Sequence, residues 1–172
     1  MFQDEGRFGR INAVRRCWAP GTFRPTVAHQ LVREYLYVYC AVSPHDGVMD
    51  SLILPRADTP CMSLFLEEVS ARHADESILM FLDGAGWHIA KDLKIPPNMT
   101  LMRQPPYSPE LNPVEHVWDE IREKWLYNKV FDSLDGVEET LVTAIFELEN
   151  DTERTQSITG FPWIIIASLN AT

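Results

Sequence analysis

Apolar runs in this sequence are short: none approaches the roughly 20 consecutive apolar residues that a membrane-spanning helix requires. The tail run over residues 161–167 is interrupted by Pro162 and is expected to pack onto a core instead. Polar Gln3, Asp4 and Glu5 follow Met1 at once, so no secretory signal peptide is expected. Cysteine is scarce, with Cys17, Cys40 and Cys61 widely spaced and no CxxC pair. That excludes a disulfide framework and a cysteine zinc site, and suits reduced thiols in a cytoplasmic protein. A Gly-rich phosphate-cradling loop and a nucleophilic Ser or Cys triad are missing too.

Positive charge is also in short supply. Fifteen Lys and Arg face 25 Asp and Glu, for a net charge of −10, so overall charge cannot supply affinity for DNA. The imbalance is uneven. Residues 1–33 hold six Arg against Asp4 and Glu5, a balance of +4, which leaves −14 on residues 34–172. Residues 132–153 alone carry eight acids and no base. Any DNA contact therefore needs a local basic strip, bound metal or another polypeptide. Arg7, Arg15, Arg16 and Arg24 are the candidates for such a strip, although a basic strand edge also serves to prevent aggregation.

What the sequence has is enough apolar residue, 45% of 172, for one domain over residues 1–172 with a real core. Residues 2–8 and 12–18 alternate as two strands joined near Gly9. Leu36–Ser43 is β-branched and aromatic, a buried strand, and Val48–Leu54 returns beside it after the turn at Pro44–Gly47. Thr59 is positioned to cap a helix over about 61–73 with Met62, Phe65, Leu66 and Val69 on one stripe. Ile78–Leu82 is wholly apolar, as a strand covered on both faces must be. A short helix over Trp87–Leu93, a strand at Met99–Arg103, a Pro-rich loop or lid at Gln104–Leu111 and helices after Asn112 and over 134–149 complete the order. Antiparallel strands first and helix–strand alternation later suit an α/β fold with a mixed sheet flanked by helices.

Three acids stand at informative places. Asp83 directly follows the apolar strand and precedes Gly84-Ala85-Gly86; open α/β sheets place ligands at the carboxyl ends of central strands, and small residues admit a large substrate. Asp4 sits on the first strand beside Glu5, and alternation sends the two to opposite faces. Glu115 has two open roles. Asn112, Pro113 and Glu115 read as N-cap, N1 and N3 of a capping box, yet the same helix start would aim a ligand. Three converging carboxylates persist as charges only around cations, which suits hard divalent metals and phosphoryl transfer. His88 reads either as an orienting group beside Asp83 or as a core histidine, and Trp87 and Trp118 read as packing anchors.

The motifs FQDEGRFGR, WAPGTFRP, YLYVYCAVSPHDG, LDGAGWH and PPYSPELNPVEHVW run in this order along nearly the whole chain. Together they resemble the catalytic domain of mariner-like DDE transposases, in the branch found in bacterial insertion sequences. The resemblance implies a ribonuclease-H-like fold with a mixed five-stranded sheet. It makes Asp4, Asp83 and Glu115 the metal-binding catalytic triad for two Mg²⁺, with Mn²⁺ able to substitute. His88, five residues after Asp83, and Asn112, at the start of the Glu115 helix, are expected as supporting or substrate-contacting residues. The implied activity is cut-and-paste DNA transposition, cleaving and joining strands, with TA dinucleotides as the implied target. The implied partners are transposon-end and target DNA and a second copy assembled on them, in the bacterial cytoplasm with no membrane. Relatives carry helix-turn-helix segments ahead of the catalytic domain, whereas here Asp4 arrives after three residues, so DNA recognition is expected to reside elsewhere. Two rivals remain open: an inactive or regulatory remnant, and a ribonuclease-H-like nuclease that cuts without joining.

Overall fold

The computed structural model describes residues 1–169, and the side chains of residues 1–166; residues 170–172 of the expected 1–172 domain lie outside the described residues. Five strands form one mixed sheet in the order β3-β2-β1-β4-β5. They are β1 (Phe2–Ile11), β2 (Leu31–Val42), β3 (Met49–Leu54), β4 (Ile78–Leu82) and β5 (Met99–Arg103). β1–β2 and β2–β3 are antiparallel, whereas β1–β4 and β4–β5 are parallel. Helices α1 (Thr59–Arg72), α2 (Val114–Ile121), α3 (Leu134–Asn150), α4 (Thr152–Thr159) and α5 (Pro162–Leu169) surround it.

Strand alternation divides the core in two. Val38, Cys40 and Val42 of β2 face α2 and α3 and pack with Phe8, Trp118, Ile121, Leu141 and Leu148. Tyr39 and Ala41 face the other way, onto Met62, Phe65, Leu66 and Val69 of α1 and Met80 and Leu82 of β4. The β1–β2 register pairs Asp4 with Cys40 and Glu5 with Tyr39. Asp4 is therefore on the α2 face and Glu5 on the α1 face, the split that period-two geometry demands.

Gly6 and Gly47 are among the glycines dictated by close approach. A Cβ on Gly6 would stand 2.9 Å from the Trp118 ring and 2.6 Å from Phe8, so only glycine lets Trp118 lie on β1. Gly47 turns between β2 and β3 at φ 74° with its α-carbon against the Thr152 carbonyl, a place closed to any side chain.

The structure corrects several boundaries. Residues 12–18 are not a strand; β1 runs on to Ile11 and residues 12–30 form an exposed arm closed at its neck by Asn12 and Gln30. Alternation alone does not make a strand where no neighbour offers a ladder, and Arg15 instead lies over Tyr127 with its backbone N–H on Asn128. β2 begins at Leu31, five residues before the apolar run, because the end of β1 pairs with it. Asp58, not Thr59, caps α1, its carboxylate accepting from the Cys61 N–H at 3.0 Å. The helix expected over Trp87–Leu93 is a single 3₁₀ turn at Gly86–His88. α2 loosens into a π-turn over Arg122–Leu126.

Candidate active site

Phe2 pairs with Phe81 across the parallel β1–β4 ladder, so two residues further along each strand come Asp4 and Asp83. They sit at neighbouring strand positions where β4 ends and the sheet opens. α2 starts above them. The Asn112 side chain is bonded at both ends: its Nδ2 donates to the Gln3 carbonyl at 3.0 Å and its Oδ1 accepts from the Val114 N–H at 3.2 Å. Asn112 thus ties the start of α2 to β1 and brings Glu115, on the first turn, over the same opening.

The capping-box alternative for Glu115 fails on one bond. Closing the box requires the Asn112 backbone N–H to bind the glutamate, but that N–H already donates to the Pro109 carbonyl at 2.9 Å. Glu115 is left to the cleft. Asp4, Asp83 and Glu115, with Asn112 and the loop from Gln104 to Pro109, line one cavity of about 470 Å³. No Lys or Arg is among its lining residues.

Each aspartate is held by a neighbour. The Trp118 indole Nε1 donates to Asp4 Oδ2 at 2.8 Å. Burial pushes the Asp4 carboxyl up to about 6; the Trp118 bond pulls it down, and the Glu115 and Glu5 charges push it up again. Asp83 accepts from the Ala85 N–H at 2.9 Å and stands 2.8 Å from His88 Nδ1, and the histidine bond holds its carboxyl below the usual range. His88 is buried, with Nε2 2.8 Å from Glu5 Oε1. Burial opposes its charge, yet the bonds to Asp83 and Glu5 win and raise the ring to about 9. His88 is therefore an imidazolium at neutral pH, donating from both ring nitrogens.

This donor set suits a hard cation: three carboxylates in one cleft, no basic side chain to neutralise them, and one acid resisting ionisation beside another. As the side chains stand, no three His, Cys, Asp or Glu among the described residues close on a single point at metal distance. Asp83 is turned toward His88, and ion binding requires the three acids to draw in.

The sequence profile of the DDE superfamily endonucleases matches residues 1–138. The chain belongs to that family. Along 105 residues this DDE chain is 44% identical to the uncharacterized protein y4pE/y4sA of Sinorhizobium fredii, an overlap covering 60% of the chain and 77% of that protein. Its fold is that of the Mos1 transposase. The Mos1 paired-end complex with left transposon end aligns with a TM-score of 0.59 at 14% identity, and the Mos1 mariner paired-end complex with Mn with 0.60 at 16%. These alignments cover 92% and 93% of this chain and 55% of each Mos1 chain, so the DDE chain spans about half their length. The ribonuclease-H-like expectation for the fold holds.

The residues singled out in the sequence are brought together unequally. Asp4, Asp83, Glu115 and Asn112 line the cleft, and His88 lies behind Asp83. Arg7, Arg15, Arg16 and Arg24 do not line it: Arg7 covers Tyr35, Arg15 covers Tyr127, and Arg16 and Arg24 are exposed on the 12–30 arm. Trp118, read as a packing anchor, also bonds Asp4; the signal was Gly6, a strand glycine that makes room for a large ring. Glu5 gave no sequence signal beyond facing away from Asp4.

One consequence is measurable. Trp118→Phe keeps the ring against Phe8 but removes the donor to Asp4, so the Asp4 pKa is expected to move upward from about 6. The change should be roughly tenfold in proton affinity, read by carboxyl ¹³C NMR titration. An unmoved titration rules out this role for the indole.

Proposed function

We propose that this chain is the catalytic domain of a cut-and-paste DNA transposase of the insertion-sequence type, cleaving and then joining DNA strands with divalent metal. The observation that carries the reading is the meeting of Asp4, Asp83 and Glu115 in one base-free cleft at the strand ends. Those three side chains would hold two Mg²⁺, or Mn²⁺ in their place. When bound, the ions supply Lewis-acid activation and charge neutralisation at the scissile phosphate.

The chain's own groups do the rest. Gly84 and Gly86 have open space where a side chain would stand, so a phosphodiester backbone can approach Asp83 closely. The Gln104 amide Nε2 is buried without a protein partner among the described residues, in a residue that lines the cleft; a turn of the side chain would let it donate to a phosphate oxygen. Tyr107, fully exposed at φ 58° on the Pro-rich loop, stands at the rim to flank the nucleotide. Water attacks the phosphorus first and a DNA 3′-hydroxyl later, each in line with a leaving 3′-oxygen, so no covalent enzyme intermediate is required.

Residues 1–172 would act as one catalytic domain working on DNA in the bacterial cytoplasm. The chain's charge of −10 favours a division of labour in which another segment or polypeptide supplies sequence recognition. Arg16 and Arg24, on the exposed arm, add local phosphate contacts, and two copies would assemble on paired ends. Among the described residues no helix is long and apolar enough to cross a membrane.

Incubation of the chain with Mn²⁺, pre-cleaved duplexes bearing the repeats that flank its gene, and supercoiled plasmid is expected to yield joined products. Nicking without joining would instead establish a plain nuclease. Neither product, with Mn²⁺ too weakly bound to detect by calorimetry, would establish a regulatory remnant.

A further inference from the structure

Asp83 is more exposed than its two companions. Its side chain is 57% exposed and is followed by Gly84-Ala85-Gly86, a stretch with little to restrain a rotamer. Apart from the adjacent Ala85 N–H, its carboxylate contacts His88 Nδ1 at 2.8 Å, the same nitrogen that hydrogen-bonds the Asp83 backbone carbonyl at 3.3 Å, and His88 is held by Glu5. The His88 side chain has no exposed surface and that of Glu5 only 5%, so neither can turn away into solvent. Gln3 Nε2 donates to the same Glu5 Oε1 at 2.9 Å, fixing the glutamate in turn. Gln3 and Glu5 share the α1 face of β1, opposite Asp4.

We infer that Glu5 and His88 are a positioning pair that holds Asp83 in one orientation at the edge of the cleft from the back of the sheet. Strand β1 then registers all three acids through consecutive residues. The Gln3 carbonyl binds Asn112 and so sets Glu115, Asp4 is itself a ligand, and Glu5 sets Asp83 through His88. A one-residue slip of β1 would misplace the whole triad at once. Charged partners behind a ligand commonly orient it in this way. The inference rests on the metal-dependent reading for its functional consequence, but the orientation of Asp83 is a property of the metal-free protein.

Two measurements separate these. Asp83 Hα–Hβ scalar couplings in the metal-free chain report whether one rotamer is held, and calorimetry with Mn²⁺ alone reports affinity. Wild type and Glu5→Gln, whose amide oxygen still accepts from His88 Nε2, are expected to show one Asp83 rotamer and equal affinity. The double variant Glu5→Leu/His88→Phe removes both buried charged groups together, which protects the fold. It is expected to show averaged couplings and Mn²⁺ binding weakened about 10- to 100-fold. A single Asp83 rotamer in the double variant overturns the inference, as does unchanged affinity where wild type binds Mn²⁺. If wild type binds no Mn²⁺, the metal reading fails and the couplings alone decide the positioning role.

Discussion

Asp83→Asn is expected to lower Mn²⁺-dependent strand cleavage by ~10³-fold or more, because groups that act as a unit lose most of their effect when one is removed. The substitution is nearly isosteric and its site is exposed, so the fold should survive it. What changes is charge: a neutral amide neither balances a divalent ion nor pairs with the His88 imidazolium 2.8 Å away. Denaturing gels of end-labelled duplex, run beside Asp75→Asn on the exposed turn after α1, provide the comparison. Cleavage by Asp83→Asn within about tenfold of wild type would remove Asp83 from the catalytic set. The Asp75 variant should match wild type, since a surface acid far from the cleft does not touch the reacting phosphate.

Asp4→Asn should have the opposite effect on stability. The folded Asp4 carboxyl sits at about 6 against an ordinary value of 3.8, chiefly because burial penalises its charged form. Between those values the folded state keeps a proton that the unfolded state has released, so stability falls as pH rises through roughly 4 to 6. Below 3.8 the penalty is absent; above 6 it is complete, at about 3 kcal/mol in the metal-free protein. Asparagine cannot ionise, and its oxygen still accepts from Trp118. The variant should melt several degrees above wild type at pH 7.5 and close to it at pH 3.5, while losing cleavage. Added Mn²⁺ should raise the melting temperature of wild type and leave the variant nearly unmoved. Equal melting at pH 7.5 without metal would show that Asp4 carries no stored electrostatic cost.

Much of this was legible in residue order. Met99–Arg103 and Ile78–Leu82 are strands with the boundaries their patterns predict, but the cover expected on both faces of the latter fails: Ile78, Met80 and Leu82 are buried while Leu79 is 42% exposed. Short apolar runs between turn signals mark a strand, whereas the cover on its faces is decided by the layers packed there: β5 lies at the sheet edge with Met102 47% exposed. The arm at 12–30 misled because alternation of side chains is necessary for a strand but pairing is what makes one. Glu5 was passed over for a related reason: the pleat says that it opposes Asp4, not that a histidine 83 residues away waits behind the sheet.

The sequence by itself determined which side chains share a face, where the chain must turn, and that its acids outnumber its bases by ten. These are consequences of short-range geometry and of composition. Only the tertiary structure decided that Glu115 is no capping-box partner, since a loop carbonyl from Pro109 had already taken the Asn112 N–H. It alone decided that Asp4 leans on Trp118 and Asp83 on His88. Hydrogen bonds are exclusive and directional, and which of several nearby partners wins one depends on distances set only after the sheet has closed.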